Sequence, residues 1–97
     1  MATFIAYLNW TDQGVKNIKD APQRAAASRR LLRELGGELK QAYMTSGDTD
    51  VVLITEVPNG DVMAKFALAM GAQGNVRTRT VRAWTEPELT KIISELP

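Results

Sequence analysis

Asn9, Trp10, Tyr43 and Trp84 are the side chains of this sequence best suited to holding an organic molecule. They offer an amide, two indoles and a phenol, which is flat apolar area with a polar head on each group. Asn9, Trp10, Tyr43 and an arginine could also line a pocket in which amide and indole N–H groups stabilise an oxyanion forming on a substrate. A plainer reading makes the aromatics filling for a core and an interface. Gly47, Asp48 and Asp50 set two carboxylates in a short polar stretch, where they could bind a hard cation or act as acid and base. A calcium loop needs further oxygen ligands at alternating positions, and Val51–Ile54 follow at once. The simpler role is a turn, with glycine supplying positive φ and the aspartates bonding turn amides. Lys16, Lys19, Arg24, Arg29, Arg30 and Arg33 face only Asp20 in their stretch, whereas Asp48, Asp50, Glu56 and Asp61 meet no cation in theirs. Such runs form either an anion-binding patch or the solvated face of a helix.

Composition narrows the chemistry. The 97 residues suffice for one domain, 1–97, and 44% apolar with 24% charged residues is ordinary for a globular fold. The net charge of +1 gives no field to gather nucleic acid or an anionic membrane. Without cysteine there is no disulfide or thiolate, and without histidine the commonest general base and transition-metal ligand are missing. No metal and no cofactor is expected, and no catalytic residue can be assigned. The sequence has no P-loop, no dinucleotide fingerprint behind a strand and no Gly-x-Ser-x-Gly elbow. Its start, Met-Ala-Thr-Phe, lacks the basic region and apolar stretch of a signal peptide, so a cytoplasmic location without a membrane role is expected.

The elements that must position these groups follow from spacing. Thr3–Trp10 is rich in aromatic and branched residues and predicts a strand. Thr11 is a helix N-cap, Asp20 a second, and Pro22 suits the first turn of a helix over Ala21–Leu35. Its Ala27, Leu31 and Leu35 form an i, i+4, i+8 stripe, predicted to face the core. Glu38–Met44 and Asp50–Val57 read as an antiparallel hairpin, closed by Pro58. Asn59 caps a helix carrying Val62, Phe66, Ala69 and Met70 and ended by Gly71 and Gly74. Asn75–Trp84 is a last strand, and Thr85-Glu86-Pro87-Glu88 is a capping box opening a helix with Leu89, Ile92, Ile93 and Leu96.

The order β-α-β-β-α-β plus a terminal helix predicts an α+β, ferredoxin-like fold: a four-stranded antiparallel sheet with helices on one face. An RNA-recognition module shares that order. Its third strand needs glycine and base-stacking aromatics, which Asp50–Val57 lacks, so no nucleic-acid partner is expected. A sheet with one wet face should alternate. Val51–Ile54 and Phe4–Leu8 do not, so both faces of the two central strands ask for burial. A second copy is the simplest cover, which predicts a homodimer or higher homo-oligomer with sheets face to face and the terminal helix free to latch it.

Four segments, Asn9-Trp10-Thr11-Asp12-Gln13-Gly14, Asp20-Ala21-Pro22-Gln23-Arg24-Ala25, Gly71-Ala72-Gln73-Gly74-Asn75-Val76-Arg77-Thr78 and Val81-Arg82-Ala83-Trp84-Thr85, resemble the GYD domain family, in order and along nearly the whole chain. The family is named for Gly-Tyr-Asp or Gly-Glu-Tyr-Asp in the hairpin. Here Gly47 and Asp50 keep the motif while Thr49 replaces its tyrosine, so a role for that tyrosine does not carry over. The resemblance implies a dimeric α/β barrel. Relatives by fold include cofactor-independent monooxygenases that hold a phenolic substrate among Asn, Trp, Tyr and Arg; haem-degrading ones use a histidine, which is absent. The expected function is a small-molecule-binding or sensing homodimer, with a planar organic ligand near Asn9, Trp10 and Tyr43 and Trp84 set towards the other end of the sheet. A cofactor-free oxygenase or isomerase acting on a small aromatic or phenolic substrate is one alternative, and a structural self-assembling module is the other.

Overall fold

A computed structural model describes all residues, Met1–Pro97. Strand β1 (Ala2–Trp10) leads through the short helix α1 (Asp12–Lys16) and a 3₁₀ turn into α2 (Ala21–Glu34). The hairpin β2 (Glu38–Met44) and β3 (Val51–Val57) follows, then α3 (Gly60–Ala72), β4 (Val76–Ala83) and α4 (Glu86–Ser94). The sheet order is β2-β3-β1-β4 with every pair antiparallel, which is the ferredoxin-like arrangement.

Core packing follows strand alternation on one side of the sheet only. Ala6 and Leu8 from β1, Leu53, Thr55 and Val57 from β3 and Leu39 from β2 are buried under Leu32 of α2 and Met63, Phe66 and Met70 of α3. Thr55 is the one buried polar side chain among them; its hydroxyl donates to the Phe4 carbonyl at 3.2 Å, so the sheet itself satisfies it. The stripe expected on α2 is turned by about one position. Leu32 is fully buried, Ser28, Leu31 and Leu35 are half-buried, and Ala27 is exposed. A methyl has little area to bury, so the helix rolls to set Leu32 into the sheet instead. Asp20 stands at the N-cap of α2 but makes no capping hydrogen bond, its backbone being already helical at φ −86°, ψ −1°. Thr11, Asn59 and Thr85 cap as their sequence context predicts, each accepting from an N–H of the first turn.

The other side of the sheet carries no helix. Register places Ile5 and Tyr7 of β1 beside Val52 and Ile54 of β3, with Val81 of β4 opposite Ile5 and Tyr43 of β2 opposite Val52. The Arg79 guanidinium lies 4.8 Å over the Tyr7 ring on this face. Helix α4 projects from the body with Leu89, Ile92, Ile93 and Leu96 exposed. The molecule is accordingly long and thin, 52 × 31 × 18 Å, with a radius of gyration of 14.6 Å against about 12.5 Å for a compact chain of this length.

Candidate functional site

One end of the sheet is assembled from segments far apart in sequence. The Thr11 backbone N–H donates to the Asn75 carbonyl at 3.0 Å and its hydroxyl to the Gly74 carbonyl at 2.6 Å, while the same hydroxyl accepts from Gly14 N–H at 3.1 Å. Gln13 Nε2 donates to the Gln73 carbonyl and to Asn75 Oδ1, both at 3.0 Å. This contact requires glycine at position 14, because a Cβ there would lie 2.1 Å from the Asn75 carbonyl oxygen. From the other side the hairpin loop is bolted to the end of β1. Asp50 Oδ2 accepts from Trp10 N–H at 2.9 Å, Asp50 N–H donates to the Leu8 carbonyl at 3.0 Å, and Asn9 Nδ2 donates to the Asp48 carbonyl at 2.6 Å. Gly47, at φ +92°, makes the loop's left-handed turn. Asp50 therefore holds the strand end and not a turn amide as expected, and no three carboxylates of the chain converge on a point where a cation would sit.

Between these two fastenings lies a cavity of about 170 Å³ under the N-terminal half of α2. Its floor is Leu8 and Trp10 of β1, Val51 and Leu53 of β3, and Leu39 and Ala42 of β2. Ala21, Arg24, Ala25, Ser28 and Arg29 of α2 form the roof, and Met70, Gln73, Asn75 and Val76 close the side. The space exists because α2 presents alanines, not large apolar residues, to the sheet here; the large ones, Leu31, Leu32 and Leu35, come later in the helix. The charged members of the wall are Arg24 and Arg29, and each is braced by a backbone carbonyl. Arg24 Nη1 donates to Asn17 O at 2.8 Å and Arg29 Nη1 to Leu39 O at 3.2 Å.

The fold separates the four residues singled out from sequence. Trp10 is on the cavity wall. Asn9, its neighbour on β1, necessarily points to the opposite face, where it is exposed and tied to the loop. Tyr43 is half exposed on that same uncovered face, its hydroxyl donating to Gln41 Oε1 at 3.0 Å. Trp84 is exposed at the far end of the sheet. A single pocket shared by Asn9, Trp10 and Tyr43 is thus not what the chain contains; of the cavity's polar groups, Arg24 and Arg29 were read only as part of a basic run, and Ser28 and Asn75 were not singled out. The signal for the arginines was the basic run, and the signal for the space was the alanine-rich start of α2.

At the far end Arg82 is the hub. Its guanidinium lies 4.7 Å over the Trp84 ring and 5.7 Å over Phe4, donates to the Thr3 carbonyl at 3.1 Å and to the Ala83 carbonyl, and pairs with Glu88 at 3.7 Å. Glu88 closes the capping box of α4, and the Thr85 backbone N–H that it accepts, then the Thr85 side chain, hold its carboxyl below the ordinary glutamate value against an opposing effect of burial; Arg82 adds a lesser lowering. This end fixes where α4 leaves the sheet.

Comparison with known proteins agrees with the fold. The chain is 29% identical over 84 residues to a Thermus thermophilus protein named glutamine synthetase and cystathionine beta-lyase binding protein, covering 86% of this chain and 88% of that one. The crystal structure of FFRP-DM1 superposes with a TM-score of 0.61 at 16% identity, over 87% of this chain and all 100% of that one. The Mycobacterium tuberculosis leucine response regulatory protein LrpA superposes at 0.57 and 15% identity over 87% of this chain, which spans only 51% of LrpA. At such identities these two show a shared fold. The family model for the GYD domain matches residues 4–93, the stretch that includes the fastenings around the cavity, and the chain belongs to the GYD domain family.

Proposed function

We propose that this protein is a homodimeric small-molecule-binding module whose output is contact with another protein. The observation that carries the reading is convergence on the cavity. Trp10, then Ala21, Arg24 and Ala25, then Gln73, Asn75 and Val76 come from three of the four segments that resemble the family, and all line one space. A wall of apolar side chains with a few polar groups is the make-up of a ligand site. The name of the Thermus thermophilus relative adds the second half, since that protein is described as binding two enzymes. An enzyme of nitrogen or sulfur amino-acid metabolism is the partner class we assign here.

Area supports the dimer. The chain exposes 6536 Å², about 1,000 Å² more than a compact monomer of its mass. A standard interface covers about 800 Å² on each partner, so the excess suits one such contact. The uncovered face around Ile5, Tyr7, Val52 and Ile54 is the surface we assign to a second copy, with α4 reaching over it and Asn9 and Tyr43 at its margin. The oxygenase alternative has no observation in its favour, because Asn9 and Tyr43 face away from the cavity that holds Trp10. Sedimentation equilibrium at micromolar concentration should give at least a dimer. Immobilised protein should then retain glutamine synthetase or cystathionine beta-lyase purified from its own cell. A monomer throughout, with neither enzyme retained, would sink the reading.

A further inference from the structure

We infer that the cavity takes a small carboxylate with a ring-sized or branched apolar body, its head group held by Arg24 and Arg29. The inference rests on the cavity being a binding site and adds the chemical class of its occupant.

Charge is the first argument. Fifteen residues line the cavity; Arg24 and Arg29 are charged and none is acidic. Asp20, at the N-cap one turn ahead of Arg24, forms no ion pair with it, and the chain's ion pairs are Lys40–Glu38 and Arg82–Glu88. Arg24 and Arg29 therefore flank an apolar space with no counter-ion from the protein. An anion placed there would meet little competition, and the low-dielectric wall strengthens its attraction to them.

Geometry is the second. A guanidinium has five N–H donors, and in each arginine one nitrogen is engaged by a backbone carbonyl, Asn17 O at 2.8 Å for Arg24 and Leu39 O at 3.2 Å for Arg29. Those bonds hold the long side chains in place before a ligand arrives, which removes part of the ordering cost of binding. The donors left over present the planar fork that matches a carboxylate. Ser28 lies on the same roof and adds a hydroxyl.

Size is the third. About 170 Å³ is close to the roughly 150 Å³ of an engineered apolar cavity that takes benzene, and well under the about 300 Å³ at which drug-sized sites begin. A ring or a branched chain fits, whereas a nucleotide does not. Leu8, Leu39, Val51, Leu53 and the Trp10 ring supply its apolar surroundings.

The test uses Trp84→Phe protein, in which Trp10 is the sole tryptophan and reports on the cavity wall. Benzoate is titrated against benzyl alcohol, a neutral molecule of similar size, and fluorescence is read at low salt. Benzoate should change Trp10 emission saturably and bind at least about tenfold more tightly than benzyl alcohol. The double variant Arg24→Gln/Arg29→Gln should lose that preference while keeping the wild-type circular dichroism. Arg24→Lys, which keeps the charge but not the fork, should bind benzoate with intermediate affinity and serves if the double variant does not fold. Equal binding of both probes, or benzoate binding indifferent to the arginines, would overturn the anion inference and leave the cavity reading standing. If neither probe binds, the inference is overturned, and if Ala25→Phe at the roof also leaves Trp10 emission unchanged, the cavity reading fails with it.

Discussion

Gly14→Ala and Gly71→Ala add the same methyl group and should move stability in opposite directions. At Gly14 the new Cβ would lie 2.1 Å from the Asn75 carbonyl oxygen and 3.0 Å from its carbonyl carbon. Both atoms are backbone of the residue just before β4, so no side-chain rotation relieves the clash. A close carbon–oxygen contact needs about 3.3 Å, so the two segments must part by more than 1 Å. That is enough to break the Thr11 N–H bond to Asn75 O, now 3.0 Å, and the Thr11 hydroxyl bond to Gly74 O, now 2.6 Å. Gln13 would lose its bonds to Gln73 O and Asn75 Oδ1 as well. At about 1 kcal/mol net for each of the two Thr11 bonds and about half that for each of the two exposed Gln13 bonds, the cost is about 3 kcal/mol. For a domain of this size that is a fall in Tm of about 12–24 °C.

Gly71, within α3, meets nothing within 4 Å of a built Cβ and has no left-handed φ. Alanine there restricts the unfolded chain without touching the folded one and should stabilise by about 0.4–1 kcal/mol. Thermal unfolding by circular dichroism at one fixed protein concentration measures both, since the Tm of any self-associating protein depends on concentration. A Gly14→Ala protein melting within 3 °C of wild type (roughly the shift of half a kcal/mol) would refute the account of the fastening. A destabilised Gly71→Ala would refute the claim of open space.

Val52→Lys puts a charge at the centre of the uncovered face, between Tyr7 and Tyr43; if that face is the proposed dimer interface, sedimentation should shift from dimer to monomer at micromolar concentration, since an unpaired buried charge costs about 3–5 kcal/mol. An unchanged dimer would remove that face from the interface. Glu88 has a lowered folded pKa, so its contribution is fully present above the ordinary glutamate pKa and is lost as the pH falls through its own lower value. NMR amide shifts of Thr85–Leu89 should show the start of α4 loosening over that acidic window, and Glu88→Gln should flatten the response. EDTA should leave the Tm unchanged, because the chain has no His or Cys and brings no cluster of carboxylates together; a fall of several degrees reversed by one specific ion would contradict this.

Fold was legible where hydrophobic period and capping agreed. The run Thr85-Glu86-Pro87-Glu88 specifies a helix start almost by itself, and the box forms with both reciprocal bonds at 2.8 and 3.3 Å. Apolar runs without alternation in Phe4–Leu8 and Val51–Ile54 identified the two central strands, which pair as β1 and β3. Period alone could not fix the roll of α2, because Ala27, Leu31 and Leu32 offer two nearly equivalent stripes and only the depth of the sheet surface selects Leu32. The site was less legible for a related reason. Grouping Asn9, Trp10 and Tyr43 follows chemical type, whereas alternation along β1 sends Asn9 and Trp10 to opposite faces. Cavity space leaves only a faint mark in sequence: small residues at Ala21 and Ala25 could equally have meant a helix packed closely on its sheet.

The segments that resemble the family turn out to serve the rim of the cavity more than the core. The fully buried side chains Leu32, Val57, Met63 and Phe66 lie outside all four of them. A core tolerates exchange among apolar residues of similar volume, so it constrains identity loosely. A fastening does not, because Thr11, Gln13 and Gly14 must meet the carbonyls of Gln73, Gly74 and Asn75 with specific donors and no Cβ. Opposite them, Asp50 must reach Trp10 N–H, which it does at 2.9 Å from a loop whose Thr49 lends only its carbonyl, to the Thr45 hydroxyl. The two fastenings grip Trp10 and Asn75 from either side, and both residues are cavity wall. Rigid support placed around a space, and not through the core, is what a binding site requires of its scaffold. Gly14→Ala should therefore weaken any ligand that reports through Trp10 even at temperatures where the protein remains folded, whereas Met63→Leu, a core exchange of conserved volume remote from the cavity wall, should not. Equal effects of the two on ligand affinity would mean that the fastenings only stabilise the fold.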